Sequence, residues 1–306
     1  MNHFIGERAC AMRRTTITVL LVMIFSTYLV AQTTPEDEMF GYVVSLQGKS
    51  RQERADFIKK QLRAMNVGFF TVPFEYSSYR MKDTVDLSGE DIVARIGNGQ
   101  KHLVVGAHFD TDENSPGANE NGSGVAVLLE LVKTMKDYAW KLTVDFVFFD
   151  QEEKGLIGSQ FYIARVVNPS QHYGMINLDM EGSGNEVYVG PVGGGDDNFL
   201  MPFLRKAASQ TKVLYSEKEW YPNSDYQSFA AMQLENISIS VVPKGDADLL
   251  ARMTQLGGTA RMKEEPKLMA TIHTPNDRAD KMSPEALKIS FQFTRTALQL
   301  INGSVH

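Results

Sequence analysis

Apolar and polar positions along the chain switch between two periods. Over residues 50–65 charged side chains are interleaved with Phe57, Ile58, Leu62 and Met65; Ile58, Leu62 and Met65 fall at i, i+4 and i+7, which predicts an amphipathic helix. Residues 67–76 and 91–96 are rich in β-branched and aromatic side chains and predict strands. Residues 103–109 form a short, nearly all-apolar run, the pattern of a strand buried on both faces. A helical stripe then follows over 122–138 through Val125, Leu128, Leu129, Val132 and Met135. The alternation goes on with a strand at 144–149, a helix at 158–166, strands at 175–180 and 186–189, a helix at 198–209, a strand at 237–242 and a closing helix at 284–300. Residues 254–270, rich in Gly, Lys and Glu, predict a loop just before His273, placed to rim a cleft. Strands alternating with helices predict an α/β fold: one domain over residues 32–306, built on a mostly parallel mixed sheet with helices on both faces.

The first 31 residues stand apart from this pattern. Arg13 and Arg14 precede an apolar run from Ile17 to Val30, which ends at the small Ala31 before a polar stretch, Gln32 to Glu36. A basic start, apolar middle and small-residue exit predict a secretory signal and a periplasmic or secreted product; the alternative is a retained anchor helix. Met12 is a second candidate start. Cleavage after Ala31 would remove Cys10, the only cysteine, so the exported chain would have no disulfide and no thiol ligand or nucleophile. Any metal must then be held by nitrogen and oxygen. The formal net charge is −6, and loss of Arg8, Arg13, Arg14 and Glu7 makes the body two charges more acidic, so no nucleic-acid partner is expected. Once the signal is removed, no membrane partner is expected either. Oligomeric state is not encoded in any pattern of the sequence.

The candidate chemistry lies at strand ends. One expected strand runs into His108-Phe109-Asp110, the next into Asp150-Gln151-Glu152-Glu153, and the third into Asp179-Met180-Glu181. A single acidic residue in such a place commonly serves as a helix cap or sits in a solvated loop. Three strands bringing imidazole and carboxylates to one edge of a parallel sheet point instead to a site, because ligands of such sheets bind beyond the carboxyl ends of the strands. In an extended strand, residues two apart share a side, so Asp110 can reach His108 and fix its tautomer for a metal. Adjacent carboxylates at Glu152 and Glu153 repel each other unless a cation or proton compensates. Glu153 as a ligand and Glu152 as a general base on water make a consistent division of labour. His102 and His172 have no motif around them and read as surface or strand-edge residues.

These residues resemble the zinc metallopeptidase family of the bacterial leucyl aminopeptidases and plasma glutamate carboxypeptidase. The matching text is 104–110 (VVGAHFD), 116–124 (PGANENGSG), 149–159 (FDQEEKGLIGS), 176–180 (INLDM) and 273–277 (HTPND), in order along nearly all of the exported chain. The resemblance implies a phosphorylase/hydrolase-like zinc exopeptidase fold. It implies that His108 and Asp179 hold one zinc ion, that Glu153 and His273 hold the other, that residue 120 bridges them, and that Glu152 is the catalytic base. The family carries aspartate at the bridge, whereas this chain has Glu120. Either the longer carboxylate still bridges two ions, or the bridge fails and one zinc remains. Ser224-Asp225-Tyr226 falls where the family has Ser-Asp-His; the Tyr226 hydroxyl, or a backbone N–H, could donate to a developing oxyanion, or the ring could simply pack. The implied activity is hydrolysis of peptides by metal-activated water, most directly as an aminopeptidase. Two other readings share the fold: a glutaminyl-cyclase-like enzyme with one zinc, and a non-catalytic binding module.

Overall fold

The computed structural model describes residues 34–80, 83–193, 198–258 and 262–305. The expected signal segment, residues 1–31, lies outside them. From Thr33 onward the chain forms one unit.

The all-apolar runs become the middle of the sheet. Strands β3 (His102–His108), β4 (Thr143–Phe149) and β5 (His172–Leu178) are parallel neighbours, with β3 between the other two. Strand β8 (Asn236–Val242) extends them in parallel beside β5. The margins reverse direction. Strand β2 (Asp83–Gly97) runs antiparallel to β4 and carries β1 (Phe70–Arg80) as a long hairpin partner. On the other side, β6 (Glu186–Gly190) is antiparallel to β8 and parallel to the short β7 (Leu214–Glu217). The full order is β1-β2-β4-β3-β5-β8-β6-β7, a sheet whose parallel middle the alternation predicts and whose mixed character the family resemblance implies.

Side chains alternate between two hydrophobic cores, as the two-residue strand period requires. Leu103, Val105 and Ala107 of β3, Val144, Phe146 and Phe148 of β4, and Ile176 and Leu178 of β5 face one core. Helices α1 (Pro35–Leu46), α2 (Arg51–Ala64), α3 (Gly122–Met135), α5 (Met201–Thr211) and α8 (Pro284–Ser304) cover it. Val104, Val147, Phe149 and Met175 face the other core, under α4 (Ile157–Val166), α6 (Tyr226–Ala231) and α7 (Asp246–Gln255). Among the described residues no helix is long and apolar enough to cross a membrane.

Local signals account for the helix starts. Thr34 accepts a hydrogen bond from the Asp37 amide, Pro35 opens α1, and Glu36, Asp37 and Glu38 fill its first turn. Ser50 and Glu53 form a reciprocal capping box at the head of α2. Four elements come without a counterpart in the sequence pattern: α1, β7, α6 and α7. The last of these enters the expected loop 254–270 by two residues, and a short 3₁₀ helix, Lys267–Ala270, occupies its other end.

Topology selects the site. The connection from β3 through α3 leads to β4 on one side of β3, and the connection from β4 through α4 leads to β5 on the other. A crevice opens at the carboxyl ends of strands where successive connections diverge in this way.

Candidate metal centre

The three expected strand ends meet in that crevice. His108 is the last residue of β3, and Asp150 and Asp179 directly follow β4 and β5. His108, Glu120 and Asp179 form one buried group of potential metal ligands, with ligand atoms within 4.8 Å of one another. Glu120, Glu153 and His273 form a second group by the same measure, and Glu120 belongs to both. The His108 Nε2 atom lies 3.0 Å from Glu120 Oε1 and 3.7 Å from Asp179 Oδ1; His273 Nε2 lies 3.2 Å from Glu153 Oε1. The first group is closed off, whereas the His273 side chain is 49% exposed, so the second group faces the solvent side.

Asp110 does more than face His108. Its Oδ1 lies 3.4 Å from His108 Nδ1, and its two oxygens accept the amide N–H groups of Glu152 (3.0 Å) and Glu153 (3.1 Å). One carboxylate therefore faces the imidazole of β3 while it holds the turn after β4. Asp277 plays the matching part for the Glu120 loop, accepting the amides of Asn119 (2.8 Å) and Glu120 (3.1 Å).

The Asn-Glu-Asn-Gly-Ser-Gly stretch ties that loop to the end of β5. Asn121 caps α3 by accepting the Gly124 amide and donates its side-chain amide to the Leu178 carbonyl at 2.8 Å. Asn119 accepts the Gly182 amide, and Ser123 accepts the Glu181 amide, both at 2.8 Å. A side chain at Gly124 would collide with Asn121 Oδ1 and the Leu178 carbonyl, so glycine is required for this close approach. Gln151, Met180 and His273 all have left-handed backbone, with φ of 62°, 63° and 53°. Left-handed conformations at non-glycine residues are uncommon and concentrate at functional sites held by their surroundings. Here they flank or include Glu152, Asp179 and His273.

Charge in the crevice is unbalanced. Burial, reinforced by Asp179, pushes the Glu120 carboxyl well above the usual carboxylate range, and burial does the same to Glu152. For His108, burial acts downward, but Glu152 and the carboxylates of Asp110, Asp179 and Glu120 carry it well above its ordinary value. The hydrogen bond to Glu153 raises His273. Burial also pushes Asp225 up to about 7, against the pull of His108. Asp179 Oδ1 is buried without a hydrogen-bond partner, and Glu153 Oε1 has only the His273 imidazole beside it. Closely spaced carboxylates, two imidazoles and an orphaned oxygen, with no sulfur, fit a divalent cation of the zinc type.

Tyr226 is placed differently. Its hydroxyl donates to the Tyr221 carbonyl at 3.1 Å and its ring packs edge-on against Tyr221 in the second core. It joins neither ligand group. His102 and His172 begin β3 and β5 as register partners, at the end of the sheet remote from the crevice. Asp225, Asp277 and the two asparagines around Glu120 were not singled out by spacing. All four lie inside recognisable motifs, but three of them act on backbone amides and carbonyls, which leave no mark in the sequence.

Known proteins share both the text and the fold. Aminopeptidase YwaD of Bacillus subtilis (strain 168) is 35% identical over 114 residues, which is 35% of this chain and 25% of that protein. The chain thus spans a quarter of the length of that curated relative. Among solved structures, BSAP, a zinc aminopeptidase from Bacillus subtilis, superposes with a TM-score of 0.69 at 16% identity, over 86% of this chain and 94% of that one. The glutaminyl cyclase of Porphyromonas gingivalis superposes with a TM-score of 0.66 at 18% identity, over 90% of this chain and all of that one. At such identities the superpositions speak for the fold. Residues 91–298, which carry every group of the crevice described above, match peptidase family M28, and the chain belongs to that family.

Proposed function

We propose that this chain is a zinc-dependent exopeptidase, an aminopeptidase, whose two groups of potential ligands would each hold a zinc ion, with Glu120 common to both. The observation that carries this reading is that Glu120 belongs to both ligand groups. His108 and Asp179 would complete one site, and Glu153 and His273 the other. Zinc at such a centre supplies Lewis acidity toward a scissile carbonyl and makes water easier to deprotonate.

The side chains of the protein would do the rest. Glu152, held by its amide on Asp110, is the base that takes a proton from the attacking water and returns it to the leaving amine. Desolvation raises its carboxyl above the ordinary carboxylate range, which strengthens it as a base. Tyr226 or a backbone N–H would donate to the developing oxyanion; Tyr226 can serve only by releasing the Tyr221 carbonyl. The open side at His273 is where a peptide N-terminus would enter. We further propose export to the periplasm or medium, on the pattern of residues 1–31, which N-terminal sequencing of the mature protein tests.

A second reading, a glutaminyl-cyclase-like enzyme with one zinc, is favoured by the superposition on the Porphyromonas gingivalis enzyme and by Glu120 itself. The two are separated by product. Aminoacyl chromogens and short peptides should be shortened from the N-terminus in a chelator-sensitive way. A peptide beginning with glutamine that loses ammonia without losing a residue would favour the second reading.

A further inference from the structure

Helix α2 carries a fully buried arginine that neither the motif text nor the matched region contains. Arg54 continues the buried stripe of Ile58 and Leu62 on that helix, where an apolar residue would be the simple choice. Its guanidinium instead donates to three carbonyl oxygens: Phe109 at 3.2 Å, Pro116 at 3.0 Å and Gly117 at 2.7 Å. These lie at the two ends of the loop that leads from His108 to Glu120. Gly117, with φ of 65°, brings its backbone so close that a side chain there would strike the guanidinium.

Among the described residues no carboxylate lies within ion-pair distance of Arg54. The two whose charges act on it are Asp110 and Asp277. Asp110 holds the amides of Glu152 and Glu153, and Asp277 those of Asn119 and Glu120. A buried charge is retained only where hydrogen bonds and opposite charge offset its desolvation. Here that compensation comes from the three carbonyls and from the charges of the two carboxylates that hold the amides of Glu152, Glu153 and Glu120.

We propose that Arg54 is a positioning residue of the metal centre: its buried guanidinium fixes the loop from His108 to Glu120 and balances the two carboxylates that orient both halves of the site. This rests on the zinc-centre reading above. It assigns a role to a helix that lies outside the matched family region, residues 91–298.

The test is zinc titration of the zinc-free full chain against a competing chelator, in wild type, Arg54→Lys and Arg54→Met, with circular dichroism to establish folding. Arg54→Met should bind zinc roughly ten- to a hundredfold more weakly, the usual cost of losing support behind a metal ligand. Its kcat should fall with KM little changed, because the bound substrate is not touched. Arg54→Lys keeps the charge without the forked donors and should fall between the two. Wild-type zinc affinity and kcat in the folded variants would overturn the proposal. If Arg54→Met does not fold, Arg54→Lys decides: weaker zinc binding supports the role, unchanged binding ends it. A wild-type chain that takes up no zinc overturns the metal-centre reading and this proposal together, whereas zinc uptake with unchanged variants overturns Arg54 alone.

Discussion

Glu120 is the residue on which the proposed chemistry turns, because it is shared by both candidate ligand groups and is the member of those groups that departs from the family pattern. Its backbone is fixed by Asp277, so the extra methylene is absorbed by the side chain, whose oxygen reaches 3.0 Å from His108. Glu120→Asp should leave zinc content unchanged if the longer side chain already bridges, and metal analysis of the variant checks this. A rise from one to two equivalents would make the natural centre mononuclear. For Glu152, the general-base role sets the size of the effect: Glu152→Gln should lower kcat by roughly 10²–10⁴-fold with zinc content intact. Steady-state kinetics beside metal analysis measures both. Of the candidate ligands, His108, Glu153 and Asp179 were legible because three strand ends carry imidazole and carboxylate together, whereas Glu120 and His273 were legible only through the family resemblance. Asp277 and Asn121 stand inside the motifs, but what they bind is backbone, which leaves no mark in the sequence.

At the scale of elements, helix α3 brings the Glu120 loop to the end of β5. Asn121→Ala removes both its cap and its link to Leu178, and should cost about 1 kcal/mol for the cap alone. Denaturant unfolding measures that loss, and zinc affinity should fall with it because Glu120 is the neighbouring residue. The strands beneath are held by packing: Phe146, wholly buried in β4, should cost about 3–5 kcal/mol as alanine. Strand β3 was legible from its nearly continuous apolar run, which a parallel sheet covered on both faces demands, while β4, β5 and β8 show mainly apolar runs interrupted by Asp145, Asn177, and Ser238 and Ser240. Helix α6, six residues long, is too short for a period to develop, and β7 is a four-residue edge strand with no fully buried residue. Arg54 stayed hidden among Arg51, Lys59, Lys60 and Arg63 of the same helix, although its place in register with Ile58 and Leu62 marks the buried face.

At the scale of the whole molecule, the crevice stores charge that folding alone does not balance. Glu120 and Glu152 are held above the ordinary 4.5, chiefly by burial. The carboxylates around His108 and the Glu153 partner of His273 hold both imidazoles above 6.5. A group whose folded pKa lies above its unfolded value contributes stability that is complete below the unfolded value and is lost as pH rises through the folded one. All four act in this sense, while Asp179, held low by His108 in spite of its burial, matters only near and below its ordinary 3.8. The zinc-free protein should therefore melt at a higher temperature near about pH 5.5 than near pH 8. Zinc competes with the same protons, so its stabilisation should be larger at the higher pH, and its binding should release protons. Thermal melts with and without zinc across this range measure both effects. The fold and the clustering of the candidate ligands were thus within reach of the sequence; the balance of charge was not, because it depends on burial that only the packed structure sets. The most direct measurement is the zinc content of the protein purified without chelator, taken with its hydrolysis of an aminoacyl chromogen. Two equivalents of zinc per chain are expected, with activity that is lost on chelation and restored by zinc. A chain that carries no zinc and shows no chelator-sensitive hydrolysis would contradict the zinc-exopeptidase reading.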